Sequence, residues 1–124
     1  MKTIHTKHAP AAIGPYSQAK KVGGFLFLSG QIGIVPESGV LISGGISEEA
    51  ERACLNVEAI LKKAGASMED VVKTTCFLSD MDDFTAFNEV YEKHFTSKPA
   101  RSCVAVKALP KGALCEIEAV AVVK

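Results

Sequence analysis

Cys115-Glu116-Ile117-Glu118-Ala119-Val120-Ala121-Val122-Val123 alternates in chemical character with a period of two. A strand of that period sends Cys115, Ile117, Ala119, Ala121 and Val123 to one face and Glu116, Glu118, Val120 and Val122 to the other. The first set is wholly apolar and suits a face packed under helices. The second mixes two carboxylates with two valines. A strand facing only water has no need of those valines, so the pattern points to a surface shared with another subunit.

Working outward, Arg101 to Val106 reads as the preceding strand, opened by Pro99-Ala100. Upstream, Val71 to Leu78 (VVKTTCFL) is β-branched and aromatic, the composition of a strand. Between them Asp80 or Asp82 caps a helix whose inner face is Phe84, Phe87, Val90, Tyr91, His94 and Phe95, and Thr96-Ser97-Lys98-Pro99 ends it. An earlier helix is the clearest element. Ser47 is its expected cap, and Glu48, Glu49 and Glu51 sit near the positive end of the helix dipole. Ala50, Ala53, Cys54, Val57, Ile60, Leu61 and Ala64 form its apolar stripe, Lys62 and Lys63 its last turn, and Gly65 its stop.

Nearer the N-terminus, Thr3-Ile4-His5 is a short strand candidate. Ser17 to Val22 and Phe25 to Ser29 flank Gly23-Gly24, which favours a tight hairpin. Gly30 to Gly45 reads as an extended loop with a short strand at Val40-Leu41-Ile42. Hairpin, helix, strand, helix and two strands describe an α+β fold: about six strands in a mainly antiparallel or mixed sheet, with two helices on one face.

The chain has 124 residues, 48% apolar and 23% charged, which fits one domain spanning 1–124 with a real core. Fourteen basic and fourteen acidic side chains cancel, which weighs against nucleic acid as the main partner but not against a small anion. Cys54, Cys76, Cys103 and Cys115 form no C-x-x-C pair or zinc-like cluster, and His5, His8 and His94 lack the spacing of ligands, so no metal is expected. Neither a secretory h-region nor a run of eighteen apolar residues occurs. A reducing compartment follows, the cytosol by preference, with an organelle address removed earlier left open. Dinucleotide, phosphate-loop, nucleophile-elbow and metalloprotease motifs do not occur.

Arg101 opens a strand poor in other charges and offers a planar fork matched to a carboxylate. Its ordinary alternative is a strand-end arginine paired with a surface acid. Glu116 and Glu118 share one face of a largely apolar strand, where partial burial poises a carboxyl for proton transfer; the alternative is a pair of solvated acids. Cys103 reads as a small hydrophobe rather than a thiol nucleophile, since no base adjoins it in sequence.

Four pieces, taken in order, carry a family resemblance. They are Ala9-Pro10-Ala11-Ala12-Ile13-Gly14-Pro15-Tyr16-Ser17-Gln18-Ala19, Ser29-Gly30-Gln31, Pro99-Ala100-Arg101-Ser102-Cys103-Val104, and Leu109-Pro110 with Cys115-Glu116-Ile117-Glu118-Ala119-Val120-Ala121. Together they resemble the reactive-intermediate deaminase (Rid) family. The resemblance implies a chorismate-mutase-like fold in a homotrimer, with sheets forming a central barrel and active sites between subunits. It implies hydrolysis of 2-imino acids, the products of serine and threonine dehydratases, to 2-oxo acids and ammonia without a cofactor. By the same resemblance Arg101 clamps the substrate carboxylate, Cys103 assists through its backbone, and Glu116 handles the proton of the attacking water with Tyr16 nearby. Ser29, Gly30 and Asn88 line the pocket, and Glu118 is left a structural acid. One departure concerns the rim: Thr96-Ser97-Lys98-Pro99 is short, with Lys98 where many deaminating members carry an aromatic. Competing readings are a ribonuclease that inhibits translation, a chaperone-like holdase, and a non-catalytic trimer that binds a metabolite in the same cleft.

Overall fold

The alternating C-terminal stretch forms an interior strand of a six-stranded sheet. The computed structural model describes residues 1–124. In chain order the elements are β1 (Lys2–Ile4), β2 (Ala19–Val22), β3 (Phe25–Gln31), β4 (Ile34–Val35), β5 (Val40–Leu41), α1 (Ile46–Lys63), β6 (Val71–Leu78), α2 (Phe84–His94), β7 (Ala100–Ala105) and β8 (Cys115–Val122). The main sheet runs β1-β2-β3-β8-β6-β7. All its pairings are antiparallel except β6 with β7, which is parallel. A parallel pair needs a crossover, and α2 supplies it. The fold is therefore α+β with a mixed sheet and two helices.

Val71–Leu78 forms its strand as the composition requires, while the last two strands sit within one residue of the expected bounds. Differences concentrate where glycine or short polar side chains set the backbone. Helix α1 starts two residues early, with Gly45 rather than Ser47 as the cap. Gly45 has φ 95°, and its carbonyl accepts the Glu49 N–H at 3.0 Å, so Ser47 already lies in the first turn. The helix ends as expected: the N–H groups of Gly65 and Ala66 bond the carbonyls of Lys62 and Leu61, closing the last turn. Asp80 caps a short 3₁₀ turn, Met81–Asp83, by accepting the Asp82 N–H at 2.8 Å; α2 follows directly on that turn. The stretch expected as loop contains the two-residue hairpin β4–β5.

Both helices cover one face of the sheet. Cys115, Ile117, Ala119 and Ala121 of β8 are buried there with Leu26 and Leu28 of β3, the α1 stripe, and Phe87, Tyr91 and Phe95. The opposite face is open. Phe25 is 50% exposed, Phe27 47%, Val104 45% and Val122 38%, and register places them on one surface with Glu116 and Glu118. Large apolar side chains therefore stand half in water across this face of the sheet. No helix is long and apolar enough to cross a membrane.

Candidate active site

Register fixes the direction of Arg101. Parallel pairing sets Arg101 of β7 beside Thr74 of β6, and both side chains point to the helix side. Helical spacing on α2 brings Phe84, Asn88 and Tyr91 to meet the guanidinium. Arg101 Nη1 donates to Asn88 Oδ1 at 2.7 Å. Its Cζ lies 4.8 Å from the centre of the Tyr91 ring and 5.6 Å from that of Phe84, within cation–π range. Tyr91 stacks in turn on Phe95 at 4.4 Å, and its hydroxyl shares a 2.6 Å hydrogen bond with Thr74 Oγ1. Burial pushes the Tyr91 phenol up to about 12. Beside this seat opens a cleft lined by Asn88, Thr96, Lys98, Pro99 and Arg101. Cys103, two residues along β7, is half-buried; burial raises its thiol, partly offset by Arg101, which suits a protonated side chain and not a thiolate nucleophile.

Glu116 is built from the other side of the sheet. A register shift between Leu28 and Gln31 of β3 brings Ser29 and Gly30 against it. A Cβ placed on Gly30 would lie 2.5 Å from Glu116 Oε2, so glycine there is what lets the carboxylate rest on the backbone. Burial, and after it the charge of Glu118, raises the Glu116 carboxyl above its ordinary 4.5. The pocket around it is walled by Ile13, Tyr16, Ser29, Gly30, Gln31 and Lys111. Ser29 Oγ donates to the Ser17 carbonyl at 2.6 Å, tying the Tyr16 segment to β3.

These halves do not meet within one chain. Arg101 faces the helices from edge strand β7; Glu116 faces the open side from β8, with β6 between them. Asn88 and Cys103 go with Arg101, while Tyr16, Ser29 and Gly30 go with Glu116. No cluster of three or more His, Cys, Asp or Glu side chains is placed to hold a metal ion, and the four cysteines are free.

Residues 6–123 match the family described as Endoribonuclease L-PSP. The chain belongs to this L-PSP (YjgF/Rid) family. A human protein named 2-iminobutanoate/2-iminopropanoate deaminase is 52% identical over 122 residues, covering 98% of this chain and 89% of its own. A RutC family protein of Pyrococcus abyssi is 53% identical over 121 residues, 97% of this chain and 95% of its own. The crystal structure of the E. coli YjgF gene product superposes with a TM-score of 0.95 at 44% identity, over the whole of both chains. E. coli TdcF, solved with bound serine, superposes at 0.94 with 42% identity, again over both whole chains.

Three buried polar residues of this Rid chain escape a reading of the sequence. Gln18 accepts the Thr6 N–H at 2.7 Å and donates to the carbonyls of Thr6 at 2.9 Å and Pro10 at 2.8 Å, pinning the segment that leads to Tyr16. Glu49 accepts the Leu114 N–H at 2.8 Å and so holds the loop carrying Lys111. Asn56 donates to the carbonyls of Ile32 at 3.1 Å and Ile34 at 2.9 Å, fixing the chain beyond Gly30. Asn56 leaves a local signal in the sequence, as an amide on the apolar stripe with Ala53, Val57 and Ile60. The others bond backbone groups far along the chain, which no local pattern records.

Proposed function

We propose that this protein hydrolyses 2-imino acids to 2-oxo acids and ammonia, in sites completed where copies of the chain meet. The carrying observation is Glu116: a half-buried carboxyl of raised pKa, seated on Gly30 and facing a pocket beside Tyr16. A carboxylate whose pKa is raised is a stronger base than a solvated one, which suits taking a proton from water. In the proposed reaction Glu116 takes a proton from water, whose oxygen bonds to the electrophilic imine carbon. The C=N electron pair moves to nitrogen, which takes that proton from Glu116. Glu116 then carries the hydroxyl proton to the same nitrogen, and the C–N bond breaks as the oxygen closes the C=O bond, releasing ammonia and leaving the 2-oxo acid. Arg101 binds the carboxylate through donors not taken by Asn88. The deaminase names of mammalian relatives at 52% identity supply the substrate class.

Association follows from the same proposal. The open face carries Phe25, Phe27, Val104 and Val122, and burying it against other copies removes them from water. We take the assembly to be a chorismate-mutase-like homotrimer, in which the Arg101 side of one protomer completes the Glu116 pocket of the next. The four free thiols suit a reducing compartment, and the cytosol is the proposed location.

A second reading has one observation in its favour: TdcF was solved with bound serine, which fits a metabolite-binding trimer. A coupled assay separates the two. A threonine dehydratase generates the imine while semicarbazide traps it, and semicarbazone formation is followed with and without this protein. Suppressed trapping by the wild type, lost in Arg101→Ala, supports hydrolysis and the carboxylate clamp. No suppression with imines from several amino acids sinks the deaminase and leaves the binding trimer.

A further inference from the structure

We infer that Tyr91 is a positioning residue for the carboxylate clamp: its ring, anchored by Thr74, sets the plane of the Arg101 guanidinium and so aims its free donors into the cleft. The inference rests on the carboxylate-binding role proposed for Arg101. A carboxylate is gripped bidentately only when two N–H groups lie parallel in one plane. Arg101 stands on an edge strand with one nitrogen, Nη1, held by Asn88. A single hydrogen bond leaves the guanidinium free to turn about it. The plane is then decided by the ring beneath.

Tyr91 is the nearer of the two rings, at 4.8 Å against 5.6 Å for Phe84. It is also the better fixed. Its ring packs between Phe87 at 5.8 Å and Phe95 at 4.4 Å, and only 7% of the residue is exposed. Phe84 opens α2 and is half-buried. The phenol end is held by Thr74 Oγ1 at 2.6 Å, and Thr74 is itself fully buried. Tilting the ring would break that pair and leave two hydroxyls without partners away from water, which resists the motion. Because Thr74 is the register partner of Arg101, the three side chains close a triangle across β6, β7 and α2. A phenylalanine would fill the core equally well. The hydroxyl is therefore the part of Tyr91 that packing does not explain.

The test compares two ligands of nearly equal shape, 2-oxobutanoate and its uncharged amide, by calorimetry. Wild-type protein is expected to prefer the carboxylate, and Arg101→Ala sets the level of no preference. Tyr91→Leu is expected to shrink the preference at least about tenfold; Tyr91→Phe and Thr74→Val each shrink it a few-fold, with amide affinity unchanged. The double variant is expected to lose no more than either single one, because both break the same bond. General loosening of the fold would weaken both ligands alike. NMR relaxation of the Arg101 Nε–H group reads the seat without any ligand: rigid in wild type, mobile in Tyr91→Phe. A folded Tyr91→Leu variant with wild-type preference overturns the inference alone; if Tyr91→Leu does not fold, wild-type preference and a rigid Arg101 in Tyr91→Phe and Thr74→Val do the same. A wild type that binds both ligands equally overturns the clamp, and the positioning role with it.

Discussion

Arg101 and Glu116 are held in opposite ways. Arg101 lies on the covered face, its guanidinium against two aromatic rings and one amide contributed by a single helix. Glu116 lies on the open face, resting on a bare stretch of backbone and walled by loops that Gln18 and Glu49 tie down from a distance. The contrast teaches where each half gets its precision. The arginine is oriented by packing inside one chain, before anything binds. The carboxyl gains its character from partial loss of water, so its chemistry depends on what closes over the open face.

The sharpest way to break this contrast is Glu116→Gln. It keeps shape and removes the base, so kcat is expected to fall roughly a thousandfold while 2-oxo acid affinity stays near wild type; equal loss of both would assign Glu116 to binding. Gly30→Ala attacks the same half through its support. The added methyl needs the space now held by the Glu116 carboxylate, and a displacement of this kind is expected to lower kcat about a hundredfold with little change in melting temperature. An unchanged kcat would show that the carboxylate does not work from this position. Phe27→Asp tests dependence on the open face. Charge within the proposed contact between copies is expected to weaken association about thirtyfold, read by analytical ultracentrifugation, with activity falling alongside it. Activity retained by a monomer would place the whole site in one chain.

The smallest effect concerns pH. Burial and Glu118 both favour neutral Glu116, so the folded chain keeps that proton to a higher pH than the unfolded chain does. The stability linked to this group is accordingly lost as pH rises from the ordinary carboxylate value through the raised one. In the proposed reaction activity needs the carboxylate, so it is expected to rise over the same window. Glu118→Gln removes the repulsion and is expected to move the rising limb of the kcat profile to lower pH, leaving the plateau in place. A limb that stays put would make burial the sole cause.

Much of this arrangement is written in local pattern. Strand β8 declares both of its faces through alternation, and α1 and α2 declare their buried stripes, because period and burial are set by neighbours along the chain. The family motifs likewise mark Arg101, Glu116 and Gly30 as special. What they do not reveal is that Arg101 and Glu116 point to opposite sides of the sheet. That follows from the registers on β6, which set Arg101 beside Thr74 on one face and Glu116 beside Phe77 on the other, both long-range facts. Helix α1 begins at Gly45 because of backbone torsion, which side-chain chemistry at Ser47 does not reveal. Strands β4 and β5 are two residues each, too short for any period to register. Tyr91 reads as one more core aromatic until Thr74 and Arg101 are seen beside it.

The parallel pairing of β6 with β7 has a consequence for divergence within the family. Lys73 opposite Ala100 and Thr74 opposite Arg101 lock the arginine to the sheet. Residues 96–99 bridge the end of α2 to that lock, tied down by Ser97 Oγ donating to the Val71 carbonyl at 2.8 Å, and Thr96, Lys98 and Pro99 stand on the rim of the cleft. Insertions or deletions in the bridge can therefore remodel the rim while strand pairing keeps Arg101 facing its seat. A one-residue slip inside β7 would instead turn Arg101 to the far side of the sheet. The mouth of the cleft can thus change its lining while the seat that orients Arg101 stays in place.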